Sequence, residues 1–140
     1  MNRLTFYIIS IALICVSCNQ TSKSSKTIEV ANGTPVMEFR NDFHDFGTIV
    51  QGEIVAYSFN FINTGDGNLF IKDALPDCGC TRPDYPKSFI APGDSAKIEI
   101  AFNSDGWRGS QYKQITFVTN AKRKKHTLTI KANVILNNNL

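Results

Sequence analysis

Two histidines, one tryptophan and two methionines are all that this chain holds of those residues, and their scarcity narrows its chemistry. A closed zinc site needs about four ligands, and His44 and His126 are the only imidazoles. An excess of charge of one sign is also missing. Fifteen Lys and Arg against twelve Asp and Glu leave a net charge of +3 over 140 residues, too weak a field to argue for nucleic acid. The longest apolar run, Leu4 to Ser17, falls short of the about 20 residues that a membrane-spanning helix needs. No stretch of convincing length repeats with the helical period. Gly-x-Ser-x-Gly, a phosphate-binding glycine loop, His-Glu-x-x-His and a calcium loop are all absent. No internal repeat is visible.

What is present begins with an address. Met1-Asn2-Arg3 supplies a positive start, and polar Asn19-Gln20 ends the apolar run; residues 1–17 read as a signal peptide. Cys15-Val16-Ser17-Cys18 resembles a bacterial lipobox, in which a small residue precedes the cysteine that is diacylated and becomes the new N-terminus. The resemblance makes Cys18 the lipidation site. It departs from the pattern where Cys15 stands in place of the usual leucine, so an ordinary cleavable signal is the alternative. Each buried CH₂ contributes about 0.8 kcal/mol, and several acyl chains on one cysteine anchor firmly. Asn19 rather than aspartate implies, by likeness to Gram-negative lipoproteins, the outer membrane and a domain facing the periplasm. Residues 18–34, rich in Ser, Thr, Lys and Asn, read as a flexible tether. The partners expected are the membrane, through that anchor, and an envelope protein. Nucleic acid and cofactors are not expected, and no small-molecule ligand is indicated.

The remainder alternates. Apolar residues make up 42% of the chain, including ten Phe and four Tyr, the aromatic content that sheet surfaces favour. Met37 and Phe39 alternate with polar neighbours. Phe43 and Phe46 lead to a glycine turn at Gly47 and then Thr48-Ile49-Val50. In Ile54 to Ile62, Val55, Tyr57, Phe59 and Phe61 share one face. Leu69-Phe70-Ile71 restarts the sheet after the turn formers Asn63-Thr64-Gly65-Asp66-Gly67-Asn68, whose glycines suit positive φ. Ala96, Ile98, Ile100 and Phe102 alternate, as do Ile115 and Phe117 within Tyr112 to Thr119, and Leu128, Ile130, Ala132 and Val134. About seven short strands with turns between them predict an all-β, immunoglobulin-like sandwich over residues 35–136, with 137–140 as a frayed tail. Asn63 and Asn120 end strands, where a short amide satisfies freed backbone groups. The run Lys122-Arg123-Lys124-Lys125 falls at a hairpin tip; a solvated tip competes there with a contact to anionic lipid or polysaccharide. Trp107, in the Ser104–Ser110 loop, is expected to lid one end of the core, and both histidines are expected at surface or turn positions.

Four blocks in order resemble a known family: Phe46-Gly47-Thr48-Ile49-Val50-Gln51-Gly52-Glu53, Phe59-Asn60-Phe61-Ile62-Asn63-Thr64-Gly65-Asp66, Cys78-Gly79-Cys80-Thr81 and Ala91-Pro92-Gly93-Asp94. Together with Thr119-Asn120 they look like the domain-of-unknown-function family numbered 1573, over roughly residues 36–135. That family resembles the ASH-type and major-sperm-protein-like sandwiches and is common in secreted and lipid-anchored bacterial proteins. The resemblance implies fold and compartment and carries no enzyme activity.

Of the four cysteines, Cys15 leaves with the signal and Cys18 becomes a thioether if the lipobox holds. Cys78 and Cys80 remain, in an oxidising compartment. Residues two apart can bring their Cα atoms within the usual bridging range of about 4.4–6.8 Å, and Gly79 permits the tight backbone. Such a ring is small and strained, which favours reduction, and it contributes little stability because the loop is very short. Pro76 and Pro83 bracket the pair, which suggests a loop or an edge. Three roles compete. The pair packs its loop; or it exchanges disulfides, with Arg82 lowering a thiol pKa and Asp77 opposing; or it holds a soft ion such as Cu(I), with His44, His126 and Met37 as the other available donors. No catalytic residue and no metal ligand set is assigned.

Overall fold

Alternating apolar side chains build every long strand. The computed structural model describes residues 33–136, which form β1 (Met37–Phe39), β2 (Phe43–Val50), β3 (Ile54–Asn63), β4 (Ile71–Pro76), β5 (Thr81–Asp84), β6 (Ser95–Asn103), β7 (Gly109–Thr119) and β8 (Lys125–Ile135). Two four-stranded sheets result, ordered β1-β3-β6-β5 and β2-β8-β7-β4. β2 runs parallel to β8, and the other pairings are antiparallel. The fold is the expected immunoglobulin-like sandwich, with eight strands rather than about seven. The additional strand is β5, which contains Pro83. Proline donates no ladder hydrogen bond, and β5 tolerates it because it is an outer strand. β4 also extends through Lys72-Asp73-Ala74-Leu75, a stretch with no clear alternation.

The inner faces are those that the alternation indicates. Phe59, Phe61, Ile98, Ile100 and Phe102 of one sheet meet Ile71, Ile115, Phe117, Leu128, Ile130 and Val134 of the other, all buried. Each such side chain contributes about 1.5–3 kcal/mol on burial. Leu69 and Ile90, bridged to one another outside the named strands, complete the core beneath two loops. The glycine turn expected at Gly47 is instead a bulge inside β2. The register against β8 shifts between Asp45 and Thr48, Gly47 takes φ 71°, and its N–H donates to Asp45 Oδ1 at 2.8 Å. The other Asp45 oxygen accepts from Lys131 Nζ at 2.8 Å, which ties the bulged edge to its neighbour.

One end of the sandwich is organised by two amides. Asn63 is fully buried (0% exposed). Its Oδ1 accepts from Val36 N and Gly65 N, both at 3.2 Å. Its Nδ2 donates to Gly67 O at 2.8 Å and Ile90 O at 3.0 Å. Asn120, from the other sheet, accepts from Phe70 N at 2.7 Å and donates to Asn68 O at 2.8 Å. The consecutive carbonyls of Gly67 and Asn68 are thus gripped from opposite sheets. The turn glycines here do not have positive φ. They allow close approach: a Cβ on Gly65 would overlap the Thr34–Val36 backbone, and one on Gly67 would overlap Gly33. Thr34 N donates to Asp66 Oδ1 at 2.6 Å, so the last two residues of the expected tether, Gly33 and Thr34, are seated on the domain. The signal segment 1–17, the rest of the tether and the tail 137–140 lie outside the described residues.

Replacing Asn63 by alanine leaves two donors and two acceptors without their buried partner. Each orphaned group costs about 1–3 kcal/mol, and some will rehydrate. We expect Asn63→Ala to lower stability by about 3 kcal/mol or more in urea unfolding; a loss below about 1 kcal/mol would refute the organising role given to this amide.

Candidate functional site

The Cys-Gly-Cys turn lies at the opposite end from Asn63. It joins β4, an outer strand of one sheet, to β5, an outer strand of the other, so the bracketing prolines do mark edges. Both flanks are pinned. Asp77 exchanges two hydrogen bonds with Gln114 of β7: its N–H donates to Gln114 O at 3.0 Å, and its Oδ2 accepts from Gln114 N at 2.9 Å. Cys80 O accepts from Asn103 N, the last residue of β6, at 2.9 Å. Within the turn, Thr81 Oγ1 donates to Cys78 O at 3.3 Å. Between these anchors Cys78 and Cys80 are disulfide-bonded, with Cα atoms 5.2 Å apart, inside the usual range.

Both cysteines are half-buried, and Cys80 packs against the core. Gly79 is exposed, and a Cβ built on it meets nothing within 4 Å. Its φ is not positive, so the tight turn does not need glycine for its backbone. What glycine does provide is a ring with no side chain between the cysteines. Asp77 directs its carboxylate to the β7 backbone, and while the bridge stands neither sulfur is a thiolate for Arg82 or Asp77 to tune.

The remaining loops at this end close the core. Ser104, fully buried, donates its hydroxyl to Val50 O at 3.1 Å and Glu53 O at 2.9 Å, joining the β2–β3 turn to the β6–β7 loop. Trp107 packs on the core beside them, and its carbonyl accepts from Gln51 Nε2 at 2.9 Å. Lys113, only 7% exposed, holds its ammonium 3.3 Å from the centre of the Trp107 ring. Such a cation over an indole face is attractive by about 0.5–2 kcal/mol. Sequence reasoning passed over Lys113, although alternation in β7 places it on the inner face with Ile115 and Phe117.

The other donors considered for a metal are not brought to the cysteines. Met37 is buried at the Asn63 end, paired in register with Asn63 itself. His44 sits half-buried near the start of β2, an outer strand, stacked on Tyr57 of the other sheet with ring centres 3.6 Å apart and edge-on to Phe46 at 4.6 Å. His126 is buried rather than at the surface, because its ring turns inward beside Phe39 at 6.0 Å and its Nε2–H donates to Arg123 O at 3.0 Å. Among the described residues no three His, Cys, Asp or Glu side chains are grouped to hold a metal ion. Cys18 lies outside them.

The model of a family described as "Protein of unknown function (DUF1573)" matches residues 37–134. The chain belongs to that family. No curated protein matches it. Among solved structures it is similar to a protein of unknown function from Porphyromonas gingivalis W83, with 22% identity and a TM-score of 0.64 over 79% of this chain. The match covers 51% of that protein, so this chain spans about half its length. It is also similar to an ASH/PapD-like domain of human CEP192, with 18% identity, TM-score 0.55 and coverage of 72% of this chain and 86% of that one. A third likeness is to the Vibrio cholerae VesB protease, with 13% identity, TM-score 0.54 and coverage of 72% and 31%. At these identities the likenesses establish the fold. The family's description assigns no reaction.

Both histidines have lowered pKa values. Burial is the main cause for each; at His126 the hydrogen bond to the Arg123 carbonyl opposes it and the Arg123 charge adds to it, and at His44 Asp45 opposes it. Below the ordinary value of 6.5 the unfolded chain therefore binds more protons than the folded one, so stability falls as pH drops from there towards the folded values. We expect the melting temperature to fall between pH 7.5 and 5.5, and to fall less in His44→Gln/His126→Gln. An equal fall in that variant would exclude the histidines as the cause.

Proposed function

We propose that this protein is a lipid-anchored cell-envelope module that binds an envelope protein or serves a structural role, without catalysing a reaction. The observation that carries this reading is the polarity of the domain. Its leading residues, Gly33 to Val36, are held at the Asn63 end by Asp66 and Asn63, and the Cys-Gly-Cys turn occupies the other end. An acylated Cys18 is joined to the leading end, so the far end is the one more distant from the anchor along the chain. The Cys78–Cys80 bond is in keeping with an oxidising compartment beyond the cytoplasm, and the family's association with exported proteins agrees. β4 and β5, as outer strands, offer free ladder edges to which a partner strand can add. Attachment is tested first: Cys18→Ala should abolish incorporation of labelled palmitate and move the protein out of the membrane fraction. Unchanged membrane association would defeat the anchored reading.

A second reading, thiol–disulfide exchange at Cys78–Cys80, is favoured by the exposed Gly79 and the open space beyond it. A partner thiolate attacks one sulfur, the Cys78–Cys80 bond breaks, and the released cysteine takes a proton. A second partner thiolate then resolves the mixed disulfide, so the partner dithiol is oxidised and this pair is reduced. The same reduced pair offers two thiolates to Cu(I). Alkylation after incubation with a reduced model dithiol should add two labels to the folded protein that Cys78→Ser/Cys80→Ser does not take up. Failure of the folded wild type to take up label or Cu(I) removes this reading and leaves the binding module.

A further inference from the structure

The Asn63 end carries a feature that neither reading uses. Between β1 and the β7–β8 hairpin there is a cleft of about 300 Å³. Phe39, the buried His126, Arg40, Asn41, Asp42 and Arg123 are among the residues that line it. Two exposed arginines, 83 residues apart in the chain, thus line one concavity. Neither is in an ion pair among the described residues. Asp42 is the single carboxylate of the lining.

The backbone behind both arginines is fixed. Arg40 N donates to Asn60 O at 3.1 Å. Arg123 O accepts from His126 Nε2 at 3.0 Å and from Thr119 Oγ1 at 3.4 Å, and the following carbonyl, Lys124 O, accepts from Thr119 N at 2.8 Å. The hairpin tip is therefore a braced platform. Exposed Lys122, Lys124 and Lys125 surround Arg123, and Lys122 N donates to Pro35 O at 2.9 Å, which fixes the tip to the leading segment. A planar guanidinium presents paired donors that suit phosphate oxygens, and the lysines add a positive field of short range.

We infer that the Arg40–Arg123 cleft binds a phosphate-bearing anion. That phosphate belongs either to an anionic lipid headgroup or to a soluble phosphate compound. A headgroup source rests on the anchored reading, because the cleft lies at the end where the chain comes into the domain; the site itself does not depend on it.

The two histidines provide a test with an internal control, since His126 lines the cleft and His44 lies on β2. The full chain, labelled at histidine and kept in a non-ionic detergent, is titrated separately with inorganic phosphate and with dihexanoylphosphatidylglycerol, and with sodium chloride at matched ionic strength. The ring resonances of His126 should shift saturably with at least one phosphate probe while those of His44 stay in place. Arg40→Gln and Arg123→Gln should each weaken that binding about tenfold or more, with His44 resonances unchanged as the sign of an intact fold. Tighter binding of the lipid assigns the headgroup source, and tighter binding of inorganic phosphate assigns the soluble one. The inference is overturned if neither probe moves His126, if chloride moves it equally, if both histidines shift alike, or if both arginine variants bind as the wild type does. Loss of membrane fractionation in Cys18→Ala reports on anchoring alone, so the two ideas fail separately.

Discussion

The buried amide of Asn63 is the constraint on which the rest of this sandwich depends. Two sheets bury apolar faces against each other readily, but the loops that cross between them carry backbone groups that must be satisfied away from water. Asn63 meets that demand for the leading strand, its own turn and the β5–β6 loop at once. Its backbone adds to the same junction, donating to Asp94 O at 3.0 Å and accepting from Gly93 N at 2.8 Å. Asn120 completes the arrangement from the second sheet. With those bonds in place, the β3–β4 loop has little freedom, and Leu69 is carried into the core.

A rigid junction at one end gives the domain two different ends. At the Asn63 end, short backbone approaches through Gly65 and Gly67 bring the leading residues, the hairpin tip and the Arg40–Arg123 cleft together. At the other end, Ser104, Trp107 and Lys113 close the core, and the Cys-Gly-Cys turn passes from sheet to sheet between hydrogen-bonded anchors. The disulfide adds little to this frame, because a two-residue separation removes little freedom from the unfolded chain and Asp77 and Cys80 already hold the turn. Its bare glycine is more readily understood as access than as backbone necessity.

How far the residues disclosed this depends on the kind of signal they carry. β3, β6, β7 and β8 were legible because half their side chains are buried, and a period of two follows directly from burial on one face. β5 and most of β4 were not, since outer strands of mostly exposed residues have little reason to alternate. Gly47 reads as a turn in the sequence because a bulge and a turn ask the same of glycine locally; only the pairing of β2 with β8 separates them. Polarity alone suggests the surface for His126, whereas the carbonyl of Arg123 gives its ring a buried partner.

By itself the sequence determined the all-β class, the inward faces of the long strands, the family and the closeness of Cys78 to Cys80. These are local matters, set by side-chain period, motif and a separation of two residues. Tertiary structure alone decided which end of the sandwich each feature occupies. The placing of Arg40 and Arg123 on one cleft, the ammonium of Lys113 over Trp107, and the separation of Met37 and His126 from the cysteines all depend on how the strands are ordered in two sheets. That order is set by nonlocal pairing and loop closure, for which no short stretch of residues carries the pattern.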